Sequence, residues 1–298
     1  MKKLFYISLV LSFFFASCSK EAGNGLTETV VVNLSPEIPG MMATRAVNDL
    51  TVNKLVCAVF EKGEEVEALR KTIDITDPTM ISYTPRLVKG RTYNVVFWAM
   101  KDGNYDVTDL TAIVRSSTGS SDEADYDAFT VTTNITVESS ETIAVTLTRP
   151  LAQLNIGVTK EDWNAVVALG QTPGSTSISY ESYDAFNALT GGLLMRNYGI
   201  ITRTDDAPRE ELRVAENTYI SLGSFFVLLP ETQEQTLDIM FTILDTDDQS
   251  IREDVFIPHI PVQRNHKTNV VGGLLTGTVN YQVTISDDFS NTEHNKVP

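Results

Sequence analysis

The amino-acid sequence predicts an all-β protein with two tandem β-sandwich domains. Many short runs alternate apolar and polar residues with a period of two, as β-strands do. Clusters of turn-forming residues, such as Glu61-Lys62-Gly63 and Asp245-Thr246-Asp247-Asp248, separate these runs. Helical patterns are rare, and the clearest covers only residues 161–169. Many short strands joined by turns are typical of sandwiches, and roughly 280 exported residues suit two domains better than one.

Residues 1–17 have the composition of a signal peptide. Two lysines precede an apolar run over residues 4–15, and two small residues follow it. This run is well short of the roughly 20 residues that cross a bilayer as a helix. We therefore expect the segment to be removed during export.

Cys18 is the candidate lipidation site. The sequence Phe15-Ala16-Ser17-Cys18 resembles a bacterial lipobox, in which the cysteine becomes the acylated first residue of the mature chain. Several acyl chains would hold the protein on a membrane, because each buried methylene contributes about 0.8 kcal/mol. A soluble secreted protein is the alternative. Since Cys57 is the other cysteine, lipidation of Cys18 leaves no intrachain disulfide.

The chain is acidic. It carries 39 Asp and Glu against 23 Lys and Arg. Loss of Lys2 and Lys3 with the signal peptide leaves 21 basic residues and a net charge of −18. Such a surface repels nucleic acid and anionic lipid headgroups, so nucleic acid is excluded as a partner.

The first strand is predicted over residues 29–34. Val30, Val32 and Leu34 share one face of it. The apolar character of that face indicates that the strand packs on a core.

An exposed loop is predicted after this strand. Residues 40–49 lack strand alternation and come after Pro36 and Pro39, as in a loop of the kind that proteases cut. The segment contains Arg45 and Ala46.

The remaining strand-like runs divide at Arg149-Pro150. Proline disfavours a helix in the residue before it, and this pair separates two strand-like runs. Thr92–Met100 is apolar on both faces, as in a strand buried on both sides. The other runs cover residues 50–60, 65–75, 142–148, 152–158, 219–229, 236–244, 252–257 and 278–285.

The last strand-like run covers residues 278–285. Val279, Tyr281, Val283 and Ile285 share one face, and polar residues form the other. This pattern is compatible with that of the first strand.

Four features together resemble a fimbrillin-family lipoprotein, of the kind that builds type V pili in Bacteroidales. They are the lipobox at Cys18, the Thr44-Arg45-Ala46 site, the run from Arg149 to Ile156 and the sequence Asn269-Val270-Val271-Gly272-Gly273-Leu274-Leu275-Thr276 before the last strand. Their order extends over nearly the whole chain.

The resemblance implies two transthyretin-like Greek-key sandwiches, cleavage after an Arg by a trypsin-like surface protease, and assembly into fibres that support adhesion. It divides the chain into a signal peptide (1–17), a lipidated propeptide with the removable first strand (18–45), an N-terminal sandwich (46–149) and a C-terminal sandwich with the candidate donor strand (150–298). The implied partners are other fimbrial subunits, the protease and, through the lipid, the outer membrane. Two alternatives remain: Arg45 is an ordinary charged residue in a linker, or residues 278–285 form a permanent last strand of the C-terminal domain. Whether the subunit belongs to the stalk, tip or anchor also stays open.

Strand exchange has a direct physical basis. A sandwich without its first strand exposes unpaired N–H and C=O groups beside an apolar slot. A donor of eight residues spans about 26 Å and can restore the ladder.

The sequence favours a protein that is not an enzyme and holds no cofactor or metal. His259 and His266 lack metal-site spacing, and Asp245, Asp247 and Asp248 lack the pattern of a calcium loop. Cys57 lies on an apolar strand face, where it acts as a small hydrophobe. The rival function is a monomeric surface lipoprotein that binds glycans, with aromatic residues grouped on one loop edge.

Overall fold

The structure is a computed structural model that describes residues 28–39, 52–194, 198–206, 211–230, 233–277 and 279–288. Strands dominate this part of the chain. Its α-helix, α1 (Lys160–Ala168), begins after Thr159, whose hydroxyl accepts a hydrogen bond from the Asp162 N–H at 3.2 Å. Among the described residues, no helix has the length and apolar character needed to cross a membrane.

Most strands are short. Two 3-10 helices, Glu67–Leu69 and Glu123–Tyr126, lie in connections between strands. Before Arg149-Pro150 the strands are β1 (Thr29–Glu37), β2 (Lys54–Glu61), β3 (Glu64–Glu65), β4 (Lys71–Asp74), β5 (Arg86–Val88), β6 (Thr92–Met100), β7 (Tyr105–Asp106), β8 (Ile113–Arg115), β9 (Ala128–Thr136) and β10 (Glu141–Thr146). After it they are β11 (Leu151–Val158), β12 (Pro173–Tyr183), β13 (Ala185–Asn187), β14 (Gly192–Leu193), β15 (Tyr198–Asp206), β16 (Glu211–Val214), β17 (Asn217–Leu228), β18 (Gln235–Asp245), β19 (Ser250–Val262), β20 (His266–Gly273) and β21 (Asn280–Asp288).

These strands form five sheets. Two contain only strands that precede Arg149-Pro150, with the orders β10-β1-β5 and β3-β2-β6-β9, and β4 also pairs with β2. Two contain only later strands, with the orders β16-β17-β11-β20-β21 and β15-β12-β18-β19. The fifth, β14-β13-β8-β7, combines two strands from each half of the chain. The prediction of an all-β chain is confirmed.

The two sheets that belong wholly to each half enclose a hydrophobic core. The N-terminal core includes Val32, Leu34, Leu55, Leu87, Phe97 and Val145. The C-terminal core includes Leu154, Ile156, Ile178, Phe225, Phe241 and Ile257. Because each core draws on both sheets of its half, each half has two layers.

A third cluster, the shared core, joins the two halves. It includes Trp98 and Ile113 from the N-terminal half and Phe186 and Phe226 from the C-terminal half, all buried. The ring centroids of Trp98 and Phe186 are 5.6 Å apart. The two-sided strand predicted at residues 92–100 is confirmed as β6, because its alternate residues pack in the N-terminal core and in the shared core.

Candidate functional site

The first strand lies in the middle of its sheet. β1 pairs with β10 on one side in parallel orientation and with β5 on the other in antiparallel orientation. Its residues alternate as the sequence predicts: Val32 and Leu34 are fully buried in the N-terminal core, and Val30 is partly buried against it. β1 therefore supplies main-chain pairing on two sides and apolar packing beneath.

Main-chain hydrogen bonds extend this pairing beyond β5. The N–H of Leu34 donates to the carbonyl of Tyr83 at 2.8 Å, and the N–H of Tyr83 donates back at 2.9 Å. The N–H of Val32 donates to the carbonyl of Pro85 at 3.2 Å. At the start of the strand, the Lys89 ammonium lies 3.0 Å from the Glu28 carboxylate, and both groups are largely exposed. The inner part of β1 is thus held by pairing and burial, and its outer end by a solvated ion pair.

The chain leaves this sheet toward the predicted processing site. Ile38 is fully buried, and description of the chain resumes at Val52, which is also fully buried in the N-terminal core. Arg45 and Ala46 lie between these points and, with Cys18, lie outside the described residues.

The last strand occupies the edge of its own sheet. β21 pairs antiparallel with β20, and Val283 lies opposite Val270. Val279, Tyr281 and Val283 pack against the C-terminal core but stay partly exposed, as does Ile285. The apolar face that the sequence predicts for this strand is therefore only partly covered by contacts within the chain.

Asp162 holds the turn that leads into β21. Its carboxylate accepts hydrogen bonds from the N–H groups of Leu274 and Leu275 at 2.7 Å each and from that of Thr276 at 3.0 Å. The Thr276 hydroxyl donates to the same carboxylate. Sequence reasoning missed this residue. The spacing of Thr159 and Asp162 predicts the start of a helix. It does not predict that the Asp162 carboxylate binds a turn more than a hundred residues later, because such a contact leaves no local sequence pattern.

Gly272 allows β21 to approach β20 closely. A Cβ atom at this position would lie 2.8 Å from the Cα atom of Tyr281, and the main-chain oxygen of Asn280 lies closer still. At the neighbouring Gly273, the nearest atom would be 3.8 Å away. The close contact therefore depends on the absence of a side chain at Gly272 alone.

The other groups weighed from the sequence have structural roles. Cys57 is fully buried, and this burial raises the pKa of its thiol to about 12, so it stays protonated. Asp245 accepts hydrogen bonds from the N–H groups of Asp247 and Gln249, as in a hairpin turn. Within the described ranges, no cluster of three or more His, Cys, Asp or Glu could hold a metal ion.

The two tryptophans differ in burial. Trp98 is fully buried in the shared core, in agreement with the strand predicted over residues 92–100 to be buried on both faces. Trp163 is partly buried and packs against the C-terminal core.

Comparison with known proteins gives a family and a fold. A family model described as a family of unknown function (DUF6562) matches residues 24–297. None of the curated proteins matches the chain. A solved structure from Bacteroides thetaiotaomicron, provisionally described as a polysaccharide-binding protein, is similar with a TM-score of 0.51 and 12% identity over 85% of this chain and 95% of that one. At this identity the likeness bears on the fold alone.

Two other solved structures are similar with lower scores. A protein from Bacteroides thetaiotaomicron that is provisionally described as an adhesin has a TM-score of 0.48 and 12% identity, over 88% of this chain and 98% of that one. A fimbrial anchor protein from Porphyromonas gingivalis has a TM-score of 0.44 and 9% identity, over 81% of this chain and 90% of that one.

Proposed function

The chain belongs to the DUF6562 family of unknown function, and from its strand arrangement we propose that it is a structural subunit of a cell-surface fimbria. It is exported as a lipoprotein through Cys18, processed between Arg45 and Ala46, and assembled by strand exchange into a fibre of the type V kind. Each half of the chain is a transthyretin-like sandwich in this proposal. The observation that carries it is the central place of β1 between β10 and β5.

Removal of β1 would leave a slot that must be refilled. Val32, Leu34 and Ile38 are fully buried, and each such side chain stabilises the fold by about 1.5–3 kcal/mol. Their sum is comparable to the roughly 5–15 kcal/mol of a whole domain. Cleavage after Arg45 would therefore leave β1 bound until another strand of similar burial displaces it.

The C-terminal strand of a neighbouring subunit is the proposed replacement. In one register Tyr281, Val283 and Ile285 take the places of Val30, Val32 and Leu34. This register puts the large Tyr281 side chain at the partly open Val30 position. It puts two aliphatic side chains of matching size into the fully buried positions, where volume-conserving replacement is tolerated best.

β21 is suited to donation because it is an edge strand with half-exposed apolar residues. It loses fewer contacts on leaving its sheet than a central strand would, and it gains pairing on two sides in the slot. Main-chain hydrogen bonds would supply affinity and the alternating apolar side chains would set the register.

Limited trypsin digestion tests the proposal. We expect the purified full chain to be cut after Arg45 and to form ladders of oligomers, as measured by size-exclusion chromatography with light scattering. Arg45→Gln should keep the protein monomeric under the same digestion. A synthetic peptide of residues 28–38 should block assembly, whereas the same peptide with Asp at positions 32 and 34 should not.

Substitutions in β21 test the donor. Val283→Asp would place a charge in a buried position of the slot and should abolish assembly of the cut protein. Thr284→Asp, on the opposite face of the same strand, is the matched control and should assemble. A cut protein that stays monomeric at high concentration would contradict the proposal.

A second candidate function is glycan binding by the monomeric lipoprotein. It is favoured by exposed aromatic side chains, which group on a sheet face formed by β15 and β19 and not on the loop edge that the sequence suggests. For a protein with this function alone, cleavage at Arg45 would have no effect on oligomeric state.

A further inference from the structure

Exposed apolar side chains gather on the outer face of the β15-β12-β18-β19 sheet. Tyr198, Ile200 and Phe256 are 55%, 75% and 56% exposed, and they are three of the seven large hydrophobic residues that are exposed in the described part of the chain. The opposite face of this sheet packs in the C-terminal core. The outer face is therefore an apolar surface that folding leaves uncovered.

The strand registers bring these residues around one groove. Ile200 lies opposite Glu181, Met240 lies opposite Phe256, and Tyr198 lies opposite Tyr183 at a ring-centroid distance of 5.0 Å. The groove has a volume of about 650 Å³. Ligand sites in proteins have volumes of roughly 300–1,000 Å³.

Two irregular residues in β19 shape the groove. Asp254 and His259 have positive φ angles of 52° and 57°, which are unusual for residues other than glycine. Register shifts occur in β19 near both of them. Phe256 and His259 are three residues apart, so regular alternation would put them on opposite faces, yet both line the groove. Bulges of this kind re-aim side chains and recur beside functional sites.

Two carboxylates in the groove are each oriented by one protein hydrogen bond. The Tyr198 hydroxyl donates to Glu181 Oε2 at 2.7 Å, and the His259 main-chain N–H donates to Asp238 Oδ1 at 2.7 Å. Among the described residues, no hydrogen bond engages the second oxygen of either carboxylate. Each carboxylate thus keeps an acceptor for a ligand.

The charge of the groove limits its ligand. Glu181, Asp238 and Asp254 line it, and its described lining contains no Lys or Arg. An anionic ligand would meet repulsion, and two copies of this face brought together would repel each other. β12 and β18 lie in the middle of the sheet and are paired on both sides, so an extended peptide lying across them in the groove has no ladder to join. The edges of this sheet are β15 and β19.

We propose that this outer face binds an uncharged oligosaccharide. A pyranose ring offers apolar C–H faces for the rings of Tyr198 and Phe256, and vicinal hydroxyls that donate to Glu181 and Asp238. Paired hydroxyls extend the face from the edge of the groove, where Oγ of the lining residue Ser179 lies 2.8 Å from Thr202 Oγ1. The ligand class deepens the adhesive role of the fimbria but does not depend on assembly.

Calorimetric titration of the uncut full chain, with Arg45→Gln as the common background, tests the inference. The probes are mannopentaose, chitotetraose and cellotetraose, with a heparin tetrasaccharide as the anionic control. We expect at least one neutral probe to bind and the heparin probe not to bind. Tyr198→Ala and Phe256→Ala should each weaken binding at least tenfold, and Met80→Ala, an exposed apolar residue in the other half, should leave it unchanged.

Failure has distinct outcomes. If no neutral probe binds, or if both aromatic variants bind as the parent does, the inference is overturned. If the parent dimerises and Tyr198→Ala makes it monomeric, the face is a protein contact and the inference is likewise overturned. Because the Arg45→Gln background blocks processing, none of these results bears on strand exchange. Thermal denaturation of each variant checks that it is folded.

Discussion

Arg149 and Asp127 form a largely buried ion pair with two hydrogen bonds at the joint between the halves. Arg149 Nε donates to Asp127 Oδ1 at 2.8 Å and Nη2 donates to Oδ2 at 2.9 Å. The Arg149 guanidinium also lies 4.3 Å from the ring centroid of Phe129. The pair ties the end of β10 and the start of β11 to the sheet that holds β9, so the joint is a fixed part of the fold.

Asp127→Asn should destabilise the protein by about 1.5–3 kcal/mol, because the charge-assisted hydrogen bonds between the Asp127 carboxylate and the Arg149 guanidinium are lost. Urea denaturation measures the free energy of unfolding. Glu211→Gln is the control, since the Glu211–Arg213 pair is exposed and should contribute less than about 0.5 kcal/mol. Equal effects of the two substitutions would contradict the assignment of Arg149 as a structural joint residue.

Asp162→Asn should loosen the turn before β21. The variant loses charge-assisted hydrogen bonds to three main-chain N–H groups, at a cost of about 2–3 kcal/mol. Hydrogen exchange should become faster at Leu274 and Thr276. Glu161→Gln changes the exposed neighbouring carboxylate and should leave this exchange unaltered. Unchanged protection in Asp162→Asn would show that other contacts hold the turn.

Gly272→Ala should weaken the pairing of β20 with β21. The added methyl group meets the main chain of Asn280 and Tyr281, and such overpacking costs about 1–3 kcal/mol. Hydrogen exchange in β21 should accelerate roughly tenfold or more, since 1.4 kcal/mol is a factor of ten. If β21 is the donor strand, cut Gly272→Ala should also assemble faster than the cut wild type. Gly273→Ala is the matched control and should behave as the wild type in both measurements.

Asp205 should make stability depend on pH between about 4 and 6. Burial raises the pKa of this carboxyl to about 6, although the Ser224 N–H that it accepts at 3.0 Å opposes the shift. In that window the folded state keeps a proton that the unfolded state has lost, so stability falls as pH rises. The free-energy cost of ionising the buried Asp205 carboxyl is fully present above its pKa in the folded state. This cost is absent below its pKa in the unfolded state.

Asp205→Asn removes this cost and keeps an oxygen to accept from Ser224. The variant should be up to about 3 kcal/mol more stable than the wild type at pH 7.5 and nearly equal to it at pH 3.5. Thermal denaturation across this range measures the difference, with exposed Asp206→Asn as the control. A difference that does not change with pH would show that Asp205 does not titrate as stated.

The strands that could be predicted are those with an apolar residue at nearly every second position. β1, β6 and β11 carry an apolar residue at nearly every inward position, so their sequences identify both the strand and its buried face. The sequence does not predict β12, because most of this strand consists of Ser and Thr residues. Ile178 and Tyr180 are its buried hydrophobic residues, and two such residues give too weak an alternation. Its place in the sheet depends on pairing with β15 and β18, which tertiary contacts decide.

The candidate site was predictable in part. Alternation predicts that Val30, Val32 and Leu34 share one packed face, and all three pack in or against the N-terminal core. The exposure of Phe256 also has a sequence signal. Phe256 lies between Val255 and Ile257, and because both of these face the core, the alternation of a strand turns Phe256 outward. The bulge that brings His259 to the same side could not be foreseen, because it follows from pairing with β18.

The shared core has a mechanical consequence. Rings from both halves interlock there, as Trp98 does with Phe186, and the β14-β13-β8-β7 sheet crosses the same boundary. Among the described residues, no flexible linker separates the two halves, so a pulling force could not be relieved by extension at their junction. The halves would separate there only by breaking a packed interior. If the protein assembles as proposed, each subunit would transmit tension to its neighbour without extending at this junction.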